Sequence, residues 1–252
     1  MKNKSQNSNG TVLISGGCGG IGQSCAIKLA QLGYDIAFTW RSSEKEAIVL
    51  ENKIKSIGRN CVSINMHLES DNIEEKFQQI DSLISSPLVG LVNSAATDGG
   101  RGEFTEKTRA DWVNIFEINV FGLMELSREA YKRMAISRGG KGGSIVNLSS
   151  QVAIFGSSQL LAYSASKGAV NSLTVALAKE IGHENIRVNA VSPGLVDKNP
   201  DHLIDELHKS RINQIPLGRL GAPSDVSDVV AWLISENSSF VNGAIIPVHG
   251  GR

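Results

Sequence analysis

Tyr163 and Lys167 are the pair in this chain best suited to moving a proton. They lie four residues apart, near the start of a run with helical spacing from Leu161 to Ile181, so they share one helix face. A phenol with a free pKa of about 10 is a poor acid-base catalyst at neutral pH. A neighbouring ammonium stabilises the phenolate and brings proton transfer into range. Ser150 stands thirteen positions earlier, just past the apolar run Ser144–Leu148, where its hydroxyl would hydrogen-bond a carbonyl while Tyr163 protonates it. The same spacing also describes a half-buried tyrosine beside a snorkelling lysine. The elements around the pair must decide between the two.

A second group has the composition of a phosphate cradle. Ser15, Gly16, Gly17, Cys18, Gly19, Gly20, Ile21 and Gly22 link the apolar run Thr11–Ser15 to a helical run from Ile21 to Leu32. Glycines there let the backbone turn sharply and approach a pyrophosphate, which rests on the amides and positive end of the helix. The next strand ends in Phe38, Thr39, Trp40, Arg41, Ser42 and Ser43, with no carboxylate before Glu44 to hold a ribose diol. Arg41 with Ser42 and Ser43 instead offers donors for a 2′-phosphate, which favours NADP(H) over NAD(H). A solvated surface arginine is the alternative.

These groups need a scaffold, and the hydrophobic pattern supplies one. Strands are predicted at Thr11–Ser15, Asp35–Trp40, Cys61–Met66, Leu88–Asn93, Ser144–Leu148, Ile186–Val191 and Ala244–Val248. Helices are predicted at 21–32, 44–57, 71–84, 108–135, 161–181 and 224–234. Short apolar strands without two-residue alternation, separated by helices, indicate a parallel sheet covered on both faces. The fold class is therefore α/β, a single-domain Rossmann fold with a doubly wound parallel sheet of about seven strands. Residues 1–10 are expected to be a flexible tail and 11–252 the domain, with the weakly periodic stretch 195–219 a lid over the site.

Composition narrows the partners. The 252 residues carry 25 Lys+Arg and 25 Asp+Glu, a net charge of +0, which leaves no electrostatic footprint for nucleic acid or an anionic membrane. Hydrophobic residues make up 41% and no apolar run is long enough to span a bilayer. The start of the chain carries no apolar signal segment. Cys18, Cys25 and Cys61 form no CxxC pair, as expected of reduced thiols in a cytoplasmic protein. His202 and His208 stand six apart and do not share a helix face, so no metal site is expected there.

The motifs together resemble the short-chain dehydrogenase/reductase family. Ser15, Gly16, Gly20, Ile21 and Gly22 match its cofactor turn. Asn93, Ser94, Ala95 and Ala96 are similar to its NNAG motif, and Asn119 matches a helix asparagine. Ser150, Tyr163 and Lys167 fit its catalytic triad, and Pro193 with Gly194 its PG motif. The tail from Pro216 to Gly251 is similar to the subgroup of 3-oxoacyl-(acyl-carrier-protein) reductases and glucose dehydrogenases.

The resemblance implies hydride transfer between a nicotinamide and a carbonyl or alcohol carbon, with a 3-oxoacyl-type or other polar ketone as the substrate. In it Tyr163 is the general acid or base and Lys167 lowers its pKa and binds the nicotinamide ribose. Ser150 orients the carbonyl and Asn119 supports a proton relay. It also implies cofactor contacts at His67, Leu68, Ser94, Ala95, Pro193, Gly194 and Val196, and a homotetramer built on the two long helices.

Several positions depart from the pattern. His67 stands for an acid, Cys18 for a basic residue before the turn, Lys198 for a threonine, and His249 for an aspartate near the C-terminus. An acyl carrier protein is a further partner the subgroup implies. Glu184 would repel it, whereas Lys132, Arg133, Arg138 and Lys141 would attract it. An oxidative alcohol or sugar dehydrogenase, and a nucleotide sensor without catalysis, remain the alternatives.

Overall fold

The computed structural model describes residues 8–197, 210 and 212–252. Lys198, His202, His208 and part of the expected lid lie outside them. Seven apolar runs form β1 (Thr11–Ser15), β2 (Asp35–Trp40), β3 (Cys61–Asn65), β4 (Leu88–Asn93), β5 (Gly143–Leu148), β6 (Ile186–Pro193) and β7 (Ile245–Val248). All pair in parallel, in the order β3-β2-β1-β4-β5-β6-β7. The sheet reverses direction of growth between β1 and β4, which opens a crevice at their carboxyl ends.

Helices cover both faces: α1 (Gly20–Gln31), α2 (Glu44–Ser56), α3 (Ile73–Leu83), α4 (Arg109–Phe116), α5 (Gly122–Met134), α6 (Val152–Phe155), α7 (Leu161–Ile181) and α8 (Pro223–Ile234). Successive side chains of a strand point to opposite faces. Val12 and Ile14 accordingly join a core with Leu29, Leu50 and Val230, whereas Leu13 joins another with Phe77, Leu126 and Met134. Two buried faces explain why the strands read as unbroken apolar runs rather than alternating ones.

The segment predicted as one helix over 108–135 is divided. Thr108 caps α4 through a reciprocal bond with Asp111, and a π-helical turn over Glu117–Phe121 separates α4 from α5. The wider turn coincides with Asn119, whose amide is held from outside the helix. Its Nδ2 donates to the Thr97 carbonyl at 2.8 Å and to Ser166 Oγ at 3.0 Å, while its Oδ1 accepts from Thr97 N–H at 2.9 Å. Of the polar start of the chain, Ser8, Asn9 and Gly10 are described. Asn9 N–H donates to Gly33 O at 3.1 Å and its side chain to Leu32 O, which joins this segment to the turn after α1. Among the described residues no helix is long and apolar enough to cross a membrane.

Candidate active site

The glycine turn packs so closely that side chains are barred from most of it. A Cβ on Gly16, which has φ +68°, would lie 2.9 Å from Ala95 Cα. One on Gly17 would lie 2.6 Å from the Phe38 ring, and one on Gly22 would run into the Gly16 carbonyl. Gly19 differs, because a Cβ there would meet only Gly16 O, at 3.4 Å, and it fronts the crevice. As the N-cap of α1 it brings no side chain to the helix end, and the first turn carries no acid. The free amides and positive end of α1 thus face a crevice of about 650 Å³. Ser15 stands behind the turn, its hydroxyl accepting N–H bonds from Ser94 (3.0 Å) and Ala95 (3.1 Å) and joining β1 to the loop after β4. An open cradle of this kind fits a dinucleotide pyrophosphate.

At the other end of the crevice, β5 delivers Ser150 and α7 delivers Tyr163 and Lys167. All three line it. Lys167 is 3% exposed, and its Nζ donates to Leu148 O at 2.7 Å and lies 5.7 Å from the Tyr163 ring centroid. Burial brings its ammonium down to about 8. The Tyr163 phenol is held above its ordinary range by burial and by the negative charge of Asp98, while a hydrogen bond with Ser150 pulls the other way. The expected lowering of Tyr163 by Lys167 is therefore not what the protein alone provides. Desolvation of the phenolate is the larger effect.

The structure brings most of the predicted cofactor residues to this crevice. Gly16, Gly19, Gly20, Ile21 and Gly22 line it at the turn, and Arg41, Leu68, Ser94 and Ala95 along its flank. Pro193, Gly194 and Val196 close it beside the triad. Other predicted residues stand behind it. Asn93 is buried and bonds Asn147 Oδ1 (2.8 Å) and Ser127 (3.1 Å), tying β4 to β5 and α5. Asn119 clamps the Thr97 loop. Cys18 turns to the Ser43 carbonyl, with its thiol raised by burial and by Glu46. Ser42 and His67 are not in the lining, and the His67 backbone N–H donates to Asp71 at 2.8 Å.

Sequence reasoning missed Thr39, Trp40, Glu69, Asp98 and Leu160, all of which line the crevice. Glu69 lies 3.5 Å from the Arg41 guanidinium and accompanies it at the same wall. The position of Glu69 just beyond the third strand was the available signal, since ligands gather at carboxyl ends of parallel strands. The basic cluster near the end of α5 is largely committed elsewhere. Lys132 pairs with buried Glu129, and Arg133 with Glu129 and Asp81. Glu184 turns inward to the Ser137 hydroxyl and N–H.

Known proteins share this architecture. Residues 16–252 match the family model described as enoyl-(acyl carrier protein) reductase. An uncharacterized oxidoreductase of Escherichia coli is 34% identical over 95% of this chain and 98% of its own length. A 3-oxoacyl-(acyl-carrier-protein) reductase of Aquifex aeolicus is 33% identical over 95% of each chain. The crystal structure of an acetoin dehydrogenase from Enterobacter cloacae superposes with a TM-score of 0.88 at 30% identity, covering 98% of this chain and 96% of that one. With the glycine turn, the Ser-Tyr-Lys group and the seven-stranded sheet in one crevice, the chain belongs to the short-chain dehydrogenase/reductase family of NAD(P)-dependent oxidoreductases, which act on carbonyl and alcohol groups.

Proposed function

We propose that this protein is an NADP(H)-dependent reductase of ketones of the 3-oxoacyl or a related polar type. The observation that carries the reading is the convergence of the Ser150 hydroxyl, the Tyr163 phenol and the buried Lys167 ammonium on a crevice whose far end is the bare glycine turn. The reductase from Aquifex aeolicus supports the reductive direction and the substrate type.

The amides of the turn and the end of α1 would hold the pyrophosphate, and Arg41 the 2′-phosphate. Gly194 and Val196 would flank the nicotinamide, which supplies the hydride. Ser150 donates a hydrogen bond to the substrate oxygen, and Tyr163 hands that oxygen its proton as negative charge develops there. A phenol held above its ordinary range is fully protonated at neutral pH and ready to donate. Lys167 holds positive charge against the phenolate left behind, and Asn119 fixes the Thr97 loop that borders the site.

The decisive test is Tyr163→Phe, which keeps the ring and removes the proton. Turnover should fall by at least a thousandfold with cofactor affinity within about threefold of the parent. Near-parental turnover would remove Tyr163 from the mechanism. For cofactor choice, NADPH should bind at least tenfold more tightly than NADH, about 1.4 kcal/mol, and Arg41→Ala should erase the difference. Equal affinities in the parent protein would make Arg41 a surface residue.

A further inference from the structure

Beside the crevice lies a second cavity of about 170 Å³, and it shares Asp98, Leu160 and Tyr163 with the first. Its walls come from the segment after β4, from α4, from the segment between α6 and α7, and from the start of α7. Phe104 and Trp112 stack there with ring centroids 5.9 Å apart and planes 11° from parallel. Ile115, Leu161 and Ala162 complete the apolar lining. Lys107 stands at the rim, tied to the loop by its bond to Gly99 O at 3.0 Å. Gly99 has φ +70°, and a Cβ there would run into the Ile115 side chain, so the loop can fold against α4 only as glycine.

From this geometry we infer that the side cavity binds one arm of the ketone, and that the substrate carries a compact apolar arm, aryl or short branched alkyl. The inference rests on the ketone-reductase reading of the crevice. Tyr163 lines both spaces, so a ketone whose oxygen meets the phenol has one of its two carbon substituents beside the side cavity. An apolar protein cavity of about 150 Å³ accepts a benzene ring, so the 170 Å³ between these walls suits a phenyl group. A long acyl chain would run past the exposed Phe104 and Leu161 into water, without further apolar contact. The aromatic pair supplies contact area and a preferred ring geometry. The other substituent is left to the main crevice, where Thr97 and Ser150 add polar groups to the lining. One arm is therefore apolar and compact, and the other is polar.

Three 3-oxoesters that differ only in the apolar arm test this: ethyl acetoacetate (methyl), ethyl benzoylacetate (phenyl) and ethyl 3-oxodecanoate (heptyl). With NADPH, kcat/KM should be at least tenfold higher for the phenyl ester than for either of the others. Phe104→Ala and Trp112→Ala should each bring the phenyl-to-methyl ratio of kcat/KM to within about twofold of unity. Phe104 is 62% exposed on its loop, so this variant folds even if the α4 variant does not. Equal rates across the series, or a heptyl ester that is fastest in parent and variants alike, overturns the inference. Binding of the phenyl ester is also read directly by ligand-observed NMR on Tyr163→Phe. Loss of this binding in the double variant with Phe104→Ala, without turnover of any ester by the parent, keeps the cavity assignment and sinks the reductase reading. No binding at all sinks the cavity assignment itself.

Discussion

Lys167 shows what the site costs at the scale of a residue. Its ammonium is buried with one protein acceptor, and burial brings its folded value to about 8 from 10.5. Between these two values the unfolded chain binds more protons than the folded one, so stability rises with pH across that window and is lowest below about 8. At about 1.4 kcal/mol per unit, the charge costs on the order of 3 kcal/mol in the unliganded protein. Lys167→Met removes the charge and keeps the stem. Thermal unfolding at pH 7 should show a melting temperature higher by a few degrees, while turnover is lost. An unchanged or lower melting temperature would mean that the bond to Leu148 outweighs desolvation. Asp98 acts on the neighbouring phenol, because its carboxylate disfavours the phenolate. Asp98→Asn should shift the rising limb of the alcohol-oxidation pH profile to lower pH by a few tenths of a unit, since that direction needs Tyr163 as a base. A shift to higher pH would show that Asp98 does not act through its charge.

At the scale of elements, what could be read beforehand followed the strength of the periodic signal. The strands were legible because each is buried on both faces, and the ends of β1 and β5 placed the glycine turn and Ser150 correctly at the crevice. Tyr163 and Lys167 were legible because helix geometry alone puts them on one face. The break in the helix at Glu117–Phe121 was not, because its apolar spacing continues through the π-helical turn and the partners that accompany it, Thr97 and Ser166, are distant in sequence. The side cavity was hidden for the same reason, as it forms between Phe104, Trp112 and Leu161 from separate segments with no shared pattern. Asn119 ties the π-helical turn to the Thr97 loop that borders the site. Asn119→Ala would leave the Thr97 N–H and carbonyl without their partner, at a cost of about 1–3 kcal/mol. The expected result is a fall in melting temperature of roughly 5 °C, a kcat lowered about tenfold or more, and cofactor affinity nearly unchanged. Loss of affinity for NADPH in step with kcat would show instead that the clamp supports the cofactor crevice as a whole.

The molecule as a whole exposes more large apolar side chains than its chemistry uses. Val113 on α4, Phe121 on the π-helical turn and Met124 on α5 are 44%, 50% and 45% exposed. Ile154 and Phe155 on α6 are exposed further, at 69% and 70%. At one edge of the sheet, β7 has one strand neighbour among the described residues, and Phe240 before it is fully exposed. Scattered apolar residues are ordinary on a surface, but rows of them along helices that also carry the active site are not. An open strand edge adds unpaired backbone groups. The family resemblance implies a homotetramer, and we propose that these helix faces and this sheet edge, rather than the crevice, would form its contacts. Light scattering should therefore return a particle of four chains. Phe121→Glu with Met124→Glu should reduce it to a smaller species, because charges placed in a buried apolar contact are costly to desolvate. A monomer in the unaltered protein would remove the helix faces as an interface, and a tetramer that survives both charges would move the interface to the β7 edge.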